Sequence, residues 1–246
     1  MSISAANSKI KLTPRLEVAA SMVRYSSRVA DVGCDHGKLT AWLVLSNRCT
    51  FAYAIDNSRP SLQKAADLFV DLNIGNQTKT ILSDGLSQIT PSEVDDIVIA
   101  GLGSDTIEHI INEAQWLKDK DKHLILVPSS RHHEVRKYIY KEGFEIEKEQ
   151  AVVDSNFCYS VMSLAFSDTP KNISNVFAEI GKIESKDEMS ERYIRKVYDR
   201  AKTVVSELAK AKEINEDKIA ETIEITEYIE TNFKEVIIND KRKRDI

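Results

Sequence analysis

The feature that most constrains the fold is a regular alternation of short β-branched segments with amphipathic ones between residues 29 and 167. Several of the β-branched segments are nearly continuous in apolar residues, as strands buried on both faces tend to be. They lie at 29–32, 51–55, 78–82, 97–100 and 124–127. Segments with helical periodicity fall between them, near 38–47, 60–73, 104–117 and 131–142. Strands that alternate with helices form right-handed βαβ units, so the sequence predicts an α/β fold with a mostly parallel sheet covered on both faces.

The end of this region departs from the alternation. After Gly143, two further strand-like segments follow without a helix between them, at 144–153 and 157–166. The short connection Asp154-Ser155-Asn156 joins them. Such a tight connection predicts an antiparallel hairpin at the edge of the sheet.

The tail beyond residue 168 has no strand-like segment. Its first part carries apolar residues at alternating spacings of three and four: Ile194, Val197, Ala201, Val204, Leu208 and Ala211. Its second part repeats the spacing: Ile219, Thr222, Thr226, Ile229, Phe233 and Val236. Heptads on both sides of a break at Ile214-Asn215 predict an antiparallel coiled-coil helical hairpin. We therefore expect two domains, residues 1–168 and residues 169–246, with hairpin arms about 35 Å long that are able to project from the sheet.

The most informative motif follows the first strand. Asp31-Val32-Gly33-Cys34-Asp35-His36-Gly37 has the pattern D-x-G-x-D-x-G and opens a helix. A glycine turn below a helix N-terminus lets the backbone approach a ligand closely. Its two carboxylates would repel the pyrophosphate of a dinucleotide and suit a ligand with a cationic amine. Taken alone, the same turn is also compatible with a purely structural role in tight packing.

Two later strands also end in acidic residues. Asp56 ends the second strand, where a carboxylate can accept hydrogen bonds from both ribose hydroxyls. Asp84, in Ser83-Asp84-Gly85-Leu86, follows the third and can receive the exocyclic amine of adenine. Either could be an ordinary turn or capping residue. Their order on successive strands strengthens the prediction of a ligand site at the carboxyl edge of the sheet.

The motifs D-x-G-x-D-H, A-I-D, S-D-G-L and I-A-G-L-G, in this order, resemble those of class I S-adenosylmethionine-dependent methyltransferases. More narrowly, the chain resembles the bacterial tRNA (adenine-N1)-methyltransferases that modify adenine 22. The resemblance covers nearly the whole chain, from Leu12-Thr13-Pro14-Arg15-Leu16 to the helical hairpin. It implies a Rossmann-like methyltransferase sheet followed by a coiled-coil hairpin, with S-adenosylmethionine as cofactor and tRNA as partner.

The resemblance also implies roles for residues of the first three strand ends. Asp31 and Gly33 would hold the methionine part of S-adenosylmethionine, Asp56 the ribose and Asp84 the adenine. Gly85 would allow close approach to the adenine ring.

Further roles fall on the fourth strand end, the N-terminus and the glycine turn. Ala100 and Gly101 would form the floor near the sulfonium, and Arg15 would pack over the cofactor side. Asp35 and His36 would face the methyl-transfer region as catalytic residues. Asp35 would stabilise the positive charge that develops on the methylated base. His36 would contact the base or an RNA phosphate, although a helix-start role satisfied by backbone is equally compatible with the sequence.

The chain departs from the family at three places. Gly37-Lys38 replaces Ala-Tyr, Leu102 and Ser104 replace the Met and last Gly of G-M-G-G, and Pro128-Ser129-Ser130 stands where the family has Q-P-N. These changes affect residues expected around the target base. A non-catalytic RNA-binding module is therefore an alternative to the methyltransferase function. A nicotinamide-dependent oxidoreductase is a weaker one, because G-x-G-x-x-G is absent.

Basic residues near the start of the helix after the fifth strand, and on the first hairpin arm, are candidate RNA contacts. They are Arg131, His132, Arg136, Lys137, Arg195, Lys196 and Arg200. The first arm is basic and the second acidic, so the charges can grip tRNA phosphates, set the pairing of the two arms, or both.

Composition excludes several other classes. A net charge of −5 argues against a protein that coats nucleic acid by bulk charge. Three scattered cysteines favour neither a disulfide framework nor a metal site. No segment reaches the ~18 apolar residues that a membrane span requires, so we expect a soluble, cytoplasmic protein without metal or membrane partner. Nothing in the sequence sets the oligomeric state, and a monomer is the default expectation.

Overall fold

The computed structural model describes residues 9–210 and 215–238. The strands are β1 (Ser27–Val32), β2 (Cys49–Asp56), β3 (Thr78–Leu82), β4 (Asp96–Ala100), β5 (His123–Val127), β6 (Phe144–Asp154) and β7 (Phe157–Phe166). The helices are α1 (Pro14–Met22), α2 (Lys38–Leu45), α3 (Arg59–Asp71), α4 (Ser104–Glu113), α5 (His132–Lys141), α6 (Asn175–Ile180), α7 (Glu188–Leu208) and α8 (Glu216–Asn232). None of the helices in the described ranges is long and apolar enough to cross a membrane.

The strands form a seven-stranded sheet in the order β3-β2-β1-β4-β5-β7-β6. Strands β1 to β5 pair in parallel, whereas β7 pairs antiparallel with both β5 and β6. This confirms the predicted mostly parallel sheet with an antiparallel hairpin at one edge. The strand order reverses beside β1, which lies between β2 and β4, and ligands of open α/β sheets bind at such a switch point.

The alternation of side chains along the strands divides the core into two layers. Val29 of β1 is fully buried among residues of α1, α2 and α3. Its neighbour Ala30 is buried on the other face, with residues of α4 and α5. Because both faces are covered there, the central strands β4 and β5 are buried along almost their whole length, as expected for nearly continuous apolar segments.

The tail forms the predicted helical hairpin from α7 and α8. Ile194 and Ile229 are fully buried between the arms, and Asn215 caps α8 by accepting a hydrogen bond from the Lys218 amide at 2.9 Å. Glu230 receives a hydrogen bond from Tyr198 at 2.6 Å, so polar contacts also join the arms. Of the residues used in the heptad prediction, Ala211 and Ile214 lie outside the described residues.

The base of the hairpin is packed against the sheet. Ala151 of β6 and Cys158 of β7 belong to the same buried cluster as Ile194 and Val197 of α7. Farther along α7, Leu208 is only half-buried. The hairpin therefore shares its core with the sheet near the start of α7 and is more exposed toward its far end.

Two helices were not expected from the sequence. Helix α1 begins with Pro14, whose fixed φ suits a first helical position. The six-residue α6 is capped by Ser174, whose side chain accepts a hydrogen bond from the Phe177 amide. Both are short and lack a long apolar repeat, which explains why periodicity did not predict them.

Candidate active site

The glycine turn after β1 is fixed against the end of β2. The amides of Gly33 and Cys34 both donate to the Ile55 carbonyl, at 2.9 and 3.0 Å. Gly37 has φ +68°, and a Cβ there would lie 2.8 Å from the Cβ of Ala65. Gly37 therefore allows α2 to start close against α3, and the turn has a defined shape before any ligand binds.

Asp31 lies buried at the end of β1. Its Oδ2 accepts a hydrogen bond of 2.7 Å from the Thr40 hydroxyl, and its side chain faces α2. Burial raises the pKa of Asp31 to about 6, and the negative charge of Asp56 adds to the rise. Such a carboxylate would be stabilised by a nearby cation, as the predicted role toward an amine requires.

Cys34, within the same turn, is buried as well. Burial raises the pKa of its thiol, and the neighbouring Asp31 raises it further. A thiol held in its protonated form is a poor nucleophile, so Cys34 acts as a packing residue in this turn.

Asp56 joins the two loops at the carboxyl edge. Its Oδ2 accepts a hydrogen bond from the Asp35 amide at 3.1 Å, and its Oδ1 accepts one from the Ser58 amide at 2.9 Å. Each carboxylate oxygen has a second lone pair, so the carboxylate is oriented and can still accept hydrogen bonds from a ligand.

A pocket at the switch point brings together four of the predicted cofactor residues. These are Gly33, Asp56, Asp84 and Gly85. The structure adds Val32, Ile55, Asn57, Ser83, Leu102, Thr106 and Ile110. The last three come from the loop after β4 and from α4, and they were not among the predicted site residues. The spacing of Ile107, Ile110 and Ile111 indicates the inward face of α4, and this was a usable signal for Ile110.

Backbone conformation and a close neighbour both restrict which residue can occupy position 85. Gly85 has φ +52°, and a Cβ built there would lie 2.9 Å from Cγ1 of Ile110. Both the backbone conformation and the close approach of Ile110 require glycine.

Ala100 and Gly101 lie at the end of β4. The Gly101 amide donates to the Val127 carbonyl at 2.8 Å, and its φ is +83°. No atom lies within 4 Å of a Cβ built at Gly101. The backbone there is thus open on one side, as the predicted floor of a ligand site would be.

Arg15 lies beside β6 and β7. Its Nε lies 3.5 Å from Oδ2 of Asp154, and its guanidinium carbon lies 5.0 Å from the centre of the Tyr159 ring. Arg15 does not line the pocket of Asp56 and Asp84. The structure therefore places it beside the β6–β7 turn.

Asp35 and His36 lie at the exposed rim of the turn. The Asp35 side chain is 77% exposed and lies 3.4 Å from Nε2 of His36. The same Nε2 is 3.0 Å from Nζ of Lys64. Nε2 of His36 therefore lies between a carboxylate and an ammonium group at the rim of the turn.

Comparison with known proteins identifies the family. Residues 12–162 match a family described as "Methyltransferase domain". This chain belongs to that methyltransferase family. The resemblance expected from the sequence is thereby confirmed.

Within the family, the methyltransferase domain is similar to a Bacillus subtilis tRNA (adenine(22)-N(1))-methyltransferase. The two are 27% identical over 154 residues, which are 63% of this chain and 65% of the relative. The matching sequence therefore spans slightly less than two thirds of that relative's length.

Solved structures confirm the fold over a longer part of the chain. The crystal structure of the B. subtilis M1A22 tRNA methyltransferase superposes with a TM-score of 0.78 at 23% identity, over 93% of this chain and 99% of that one. A Streptococcus pneumoniae protein, solved in complex with S-adenosyl-L-methionine, gives a TM-score of 0.73 at 24% identity, over 86% of this chain and 98% of that one.

Four of the seven predicted RNA contacts line one groove beside the methyltransferase site. The groove has a volume of about 390 Å³ and lies between the start of α5, the β6–β7 turn and α7. The four residues are Arg131, His132, Lys196 and Arg200. Burial lowers the pKa of His132 to about 3, with Arg136 contributing, so its ring is neutral at physiological pH. His132 therefore adds no positive charge to the groove.

Arg136 is not an RNA contact, which corrects the sequence prediction. Its side chain is fully buried and forms an ion pair of 2.7 Å with the equally buried Glu149. It also donates to the Tyr193 hydroxyl at 2.9 Å and to the Ala178 carbonyl at 2.6 Å. These partners come from β6, α6 and α7, so Arg136 anchors the helical hairpin to the methyltransferase domain.

The two remaining candidates face away from the groove. Nζ of Lys137 donates to Oδ1 of Asn175 on α6 at 2.6 Å. Arg195 reaches toward the Ile237 carbonyl, with Nη1 at 3.4 Å, after the end of α8. Neither residue lines the groove of Lys196 and Arg200. Sequence spacing could not separate them because the faces of α5 and α7 are set by packing.

Among the described residues, no group of three or more histidine, cysteine, aspartate or glutamate side chains is arranged to hold a metal ion.

Proposed function

We propose that this chain transfers a methyl group from S-adenosylmethionine to N1 of an adenine in tRNA, at position 22. The observation that carries the proposal is the convergence of Gly33, Asp56 and Asp84 on one pocket at the switch point of a methyltransferase-family sheet. The name of the B. subtilis relative supports the choice of substrate.

The residues present fit S-adenosylmethionine. The buried Asp31, whose pKa is raised to about 6, suits the ammonium group of the methionine part. Asp56 is oriented by two backbone amides and keeps lone pairs for the ribose hydroxyls. The exposed Asp84 and the glycine beside it leave room for an adenine ring against Leu102 and Ile110.

Bound there, S-adenosylmethionine supplies a methyl group attached to a positively charged sulfur. Adenine N1 carries a lone pair, so no proton has to be removed from it before methylation. The chain therefore needs mainly to position the base, and holding two reactants in line supplies a large part of a rate acceleration. Gly101 suits this purpose because its backbone has open space beside it.

Asp35 and His36 act at the rim of this site. The carboxylate of Asp35 faces the positive charge that develops on the adenine ring, and its 77% exposure makes this a modest contribution. His36, which lies beside Asp35 and Lys64, contributes a hydrogen bond to the base or to an RNA phosphate.

The two parts of the chain have different roles in this reaction. Residues 1–168 hold the cofactor and the target base, and residues 169–246 bring the basic face of α7 to the RNA. We also propose that the enzyme acts as a monomer. Its tRNA substrate places it in the cytoplasm.

The test is incubation of the full chain with unmodified tRNA transcripts and S-adenosylmethionine labelled on the methyl group. We expect label in the tRNA and 1-methyladenosine at position 22 by mass spectrometry. A matched transcript with guanine at position 22 should accept no label.

Two outcomes would contradict the proposal. Binding of S-adenosylmethionine by calorimetry without transfer to any tRNA would favour the non-catalytic RNA-binding module, which the changed residues Lys38 and Ser129 motivate. Binding of NADH in place of S-adenosylmethionine would favour the oxidoreductase.

A further inference from the structure

The groove between α5, the β6–β7 turn and α7 neighbours the proposed cofactor pocket. The Ser129 amide donates to the Leu102 carbonyl at 2.9 Å. Ser129 lines the groove and Leu102 lines the pocket. A nucleotide next to a target adenosine bound at the pocket would therefore lie close to this groove.

An aromatic ring stands exposed at the mouth of the groove. Phe157 begins β7, lines the groove and is 61% exposed. Its ring centre lies 6.4 Å from that of Tyr159, over which the Arg15 guanidinium packs. An exposed aromatic ring supported by a second ring is the kind of surface on which unpaired RNA bases stack.

The opposite wall of the groove is cationic. Lys196 and Arg200 lie one helical turn apart on α7, so both side chains point to the same side. Among the described residues, Lys196 makes a long contact, with Nζ 3.4 Å from the Cys158 carbonyl, and Arg200 pairs with Glu179.

The lining also contains Arg131, which pairs with Asp105 and Glu134 outside the groove. The lining residues themselves carry three positive charges against the single negative charge of Glu179. Phosphate groups are the complementary ligand.

We propose that this groove binds an unpaired RNA nucleotide that flanks the target adenosine. Its base stacks on Phe157, and its phosphate lies between Lys196 and Arg200. The inference rests on the proposed tRNA methylation and goes beyond it by naming Phe157 as the stacking residue. It also places the recognised nucleotide outside the pocket of the target base.

The first test measures equilibrium binding of tRNA to the full chain by fluorescence anisotropy. Phe157→Ala should weaken binding roughly 5- to 150-fold, since stacking of one base contributes that range of affinity. Phe157→Tyr should restore most of it. The matched control is Tyr25→Ala, which removes a ring that is 66% exposed elsewhere on the surface and should leave binding unchanged. Thermal melts and calorimetric binding of S-adenosylmethionine establish that each variant is folded.

The second test separates stacking from charge. In the double variant Lys196→Ala/Arg200→Ala, the slope of log affinity against log salt should become shallower, by about 0.7 for each lost phosphate contact to a single strand. Phe157→Ala should keep the wild-type slope, because its ring carries no charge. A tRNA with 2-aminopurine beside the target adenosine should lose fluorescence on binding wild type and regain it with Phe157→Ala.

The outcomes separate this inference from the proposed function. If wild type methylates adenine 22 and Phe157→Ala binds tRNA as tightly as wild type, the stacking role is wrong and the function stands. If tRNA binding depends on Phe157 but no methyl transfer occurs, the groove stands and the function is wrong. If a duplex RNA stem or an acidic peptide competes as well as single-stranded RNA, the groove is not a site for an unpaired nucleotide.

Discussion

Arg136 and Glu149 form an ion pair of 2.7 Å in which both side chains are fully buried. Around it, Ser160 donates a hydrogen bond to Glu149, and Tyr193 of α7 accepts one from Arg136. The pair thus joins α5 and β6 to the first helix of the hairpin. Since the groove of Lys196 lies on the same helix, this buried pair sets where the basic wall stands relative to the sheet.

Removing one partner of this pair should be costly. Arg136→Met leaves the Glu149 carboxylate buried without its cation, and breaking a buried pair in this way costs about 3–5 kcal/mol. We expect the free energy of unfolding, measured with urea, to fall by that amount.

The control for Arg136→Met is Lys171→Met at the exposed pair with Glu145. Both of its side chains are about half exposed, and such surface pairs contribute about 0–1 kcal/mol. Equal losses in the free energy of unfolding would show that burial does not increase the contribution of the Arg136 pair to stability.

Asp84→Ala tests the assignment of the adenine. Loss of a carboxylate that accepts a hydrogen bond from the exocyclic amine should weaken S-adenosylmethionine binding about 10- to 100-fold, because hydrogen bonds to charged groups contribute about 1.5–3 kcal/mol. Calorimetry measures the affinity. Asp71→Ala, at an exposed position at the end of α3, should bind like wild type. An unchanged affinity for Asp84→Ala would remove Asp84 from the site.

Two glycines offer a comparison of strain. Gly85→Ala forces a side chain into a backbone with φ +52°, with its Cβ 2.9 Å from Cγ1 of Ile110. We expect stability to fall by about 1–3 kcal/mol and cofactor binding to weaken, because Ile110 lines the same pocket. Gly75→Ala meets no atom within 4 Å and should change both quantities little. Urea unfolding and calorimetry measure the two effects, and similar losses at both positions would contradict the expectation.

The affinity for S-adenosylmethionine should rise with pH. Burial holds the pKa of Asp31 near 6 in the free protein, whereas a bound ammonium group favours the charged form and lowers that pKa. Binding therefore releases a proton below pH 6 and is strongest above it. From pH 7 to pH 5, we expect roughly a tenfold loss of affinity.

Asp31→Asn provides the control, since an amide does not titrate in this range. Its affinity should be lower at pH 7 and nearly independent of pH between 5 and 7. The free protein gives a second readout. A protein in which folding raises the pKa of a carboxyl loses stability progressively as pH rises from the unfolded pKa to the folded pKa of that group. For Asp31 this window runs from about pH 4 to pH 6, so wild type should lose stability across it and Asp31→Asn should lose less. A wild-type affinity that does not change with pH would show that Asp31 does not meet the ammonium group.

Sequence reasoning predicted the sheet and the strand-end carboxylates because both depend on local pattern. Buried strands require continuous apolar segments, and a ligand at the carboxyl edge requires polar residues directly after them. The placement of Gly33, Asp56 and Asp84 around one pocket therefore followed from order along the chain. By contrast, Arg136 carried the same sequence signal as Arg131, a basic residue near the start of α5. Only the packing of α6 and α7 against that helix shows that one is buried and the other lies at the surface.

Recognition of the groove required the tertiary structure even more than recognition of the buried Arg136 did. Phe157 and Lys196 are far apart in sequence, and the strand pattern gave no reason to expect Phe157 at the surface. Their proximity results from the docking of α7 on β6 and β7. Such a contact between distant segments is not encoded in any local periodicity.

Gly181 stands where the chain passes from α6 toward the hairpin, with φ +67°, and a Cβ there would collide with Glu149 and Arg136. A side chain at this position would push the buried pair apart, so the buried arginine and glutamate depend on the glycine. In newly sequenced genomes, an arginine five residues into the helix after the fifth strand, a glutamate on the sixth strand and a glycine ahead of the heptads would mark chains whose hairpin docks in this way. Such a triplet offers a search pattern independent of the cofactor motifs, able to sort distant homologues by how they hold their helical hairpin.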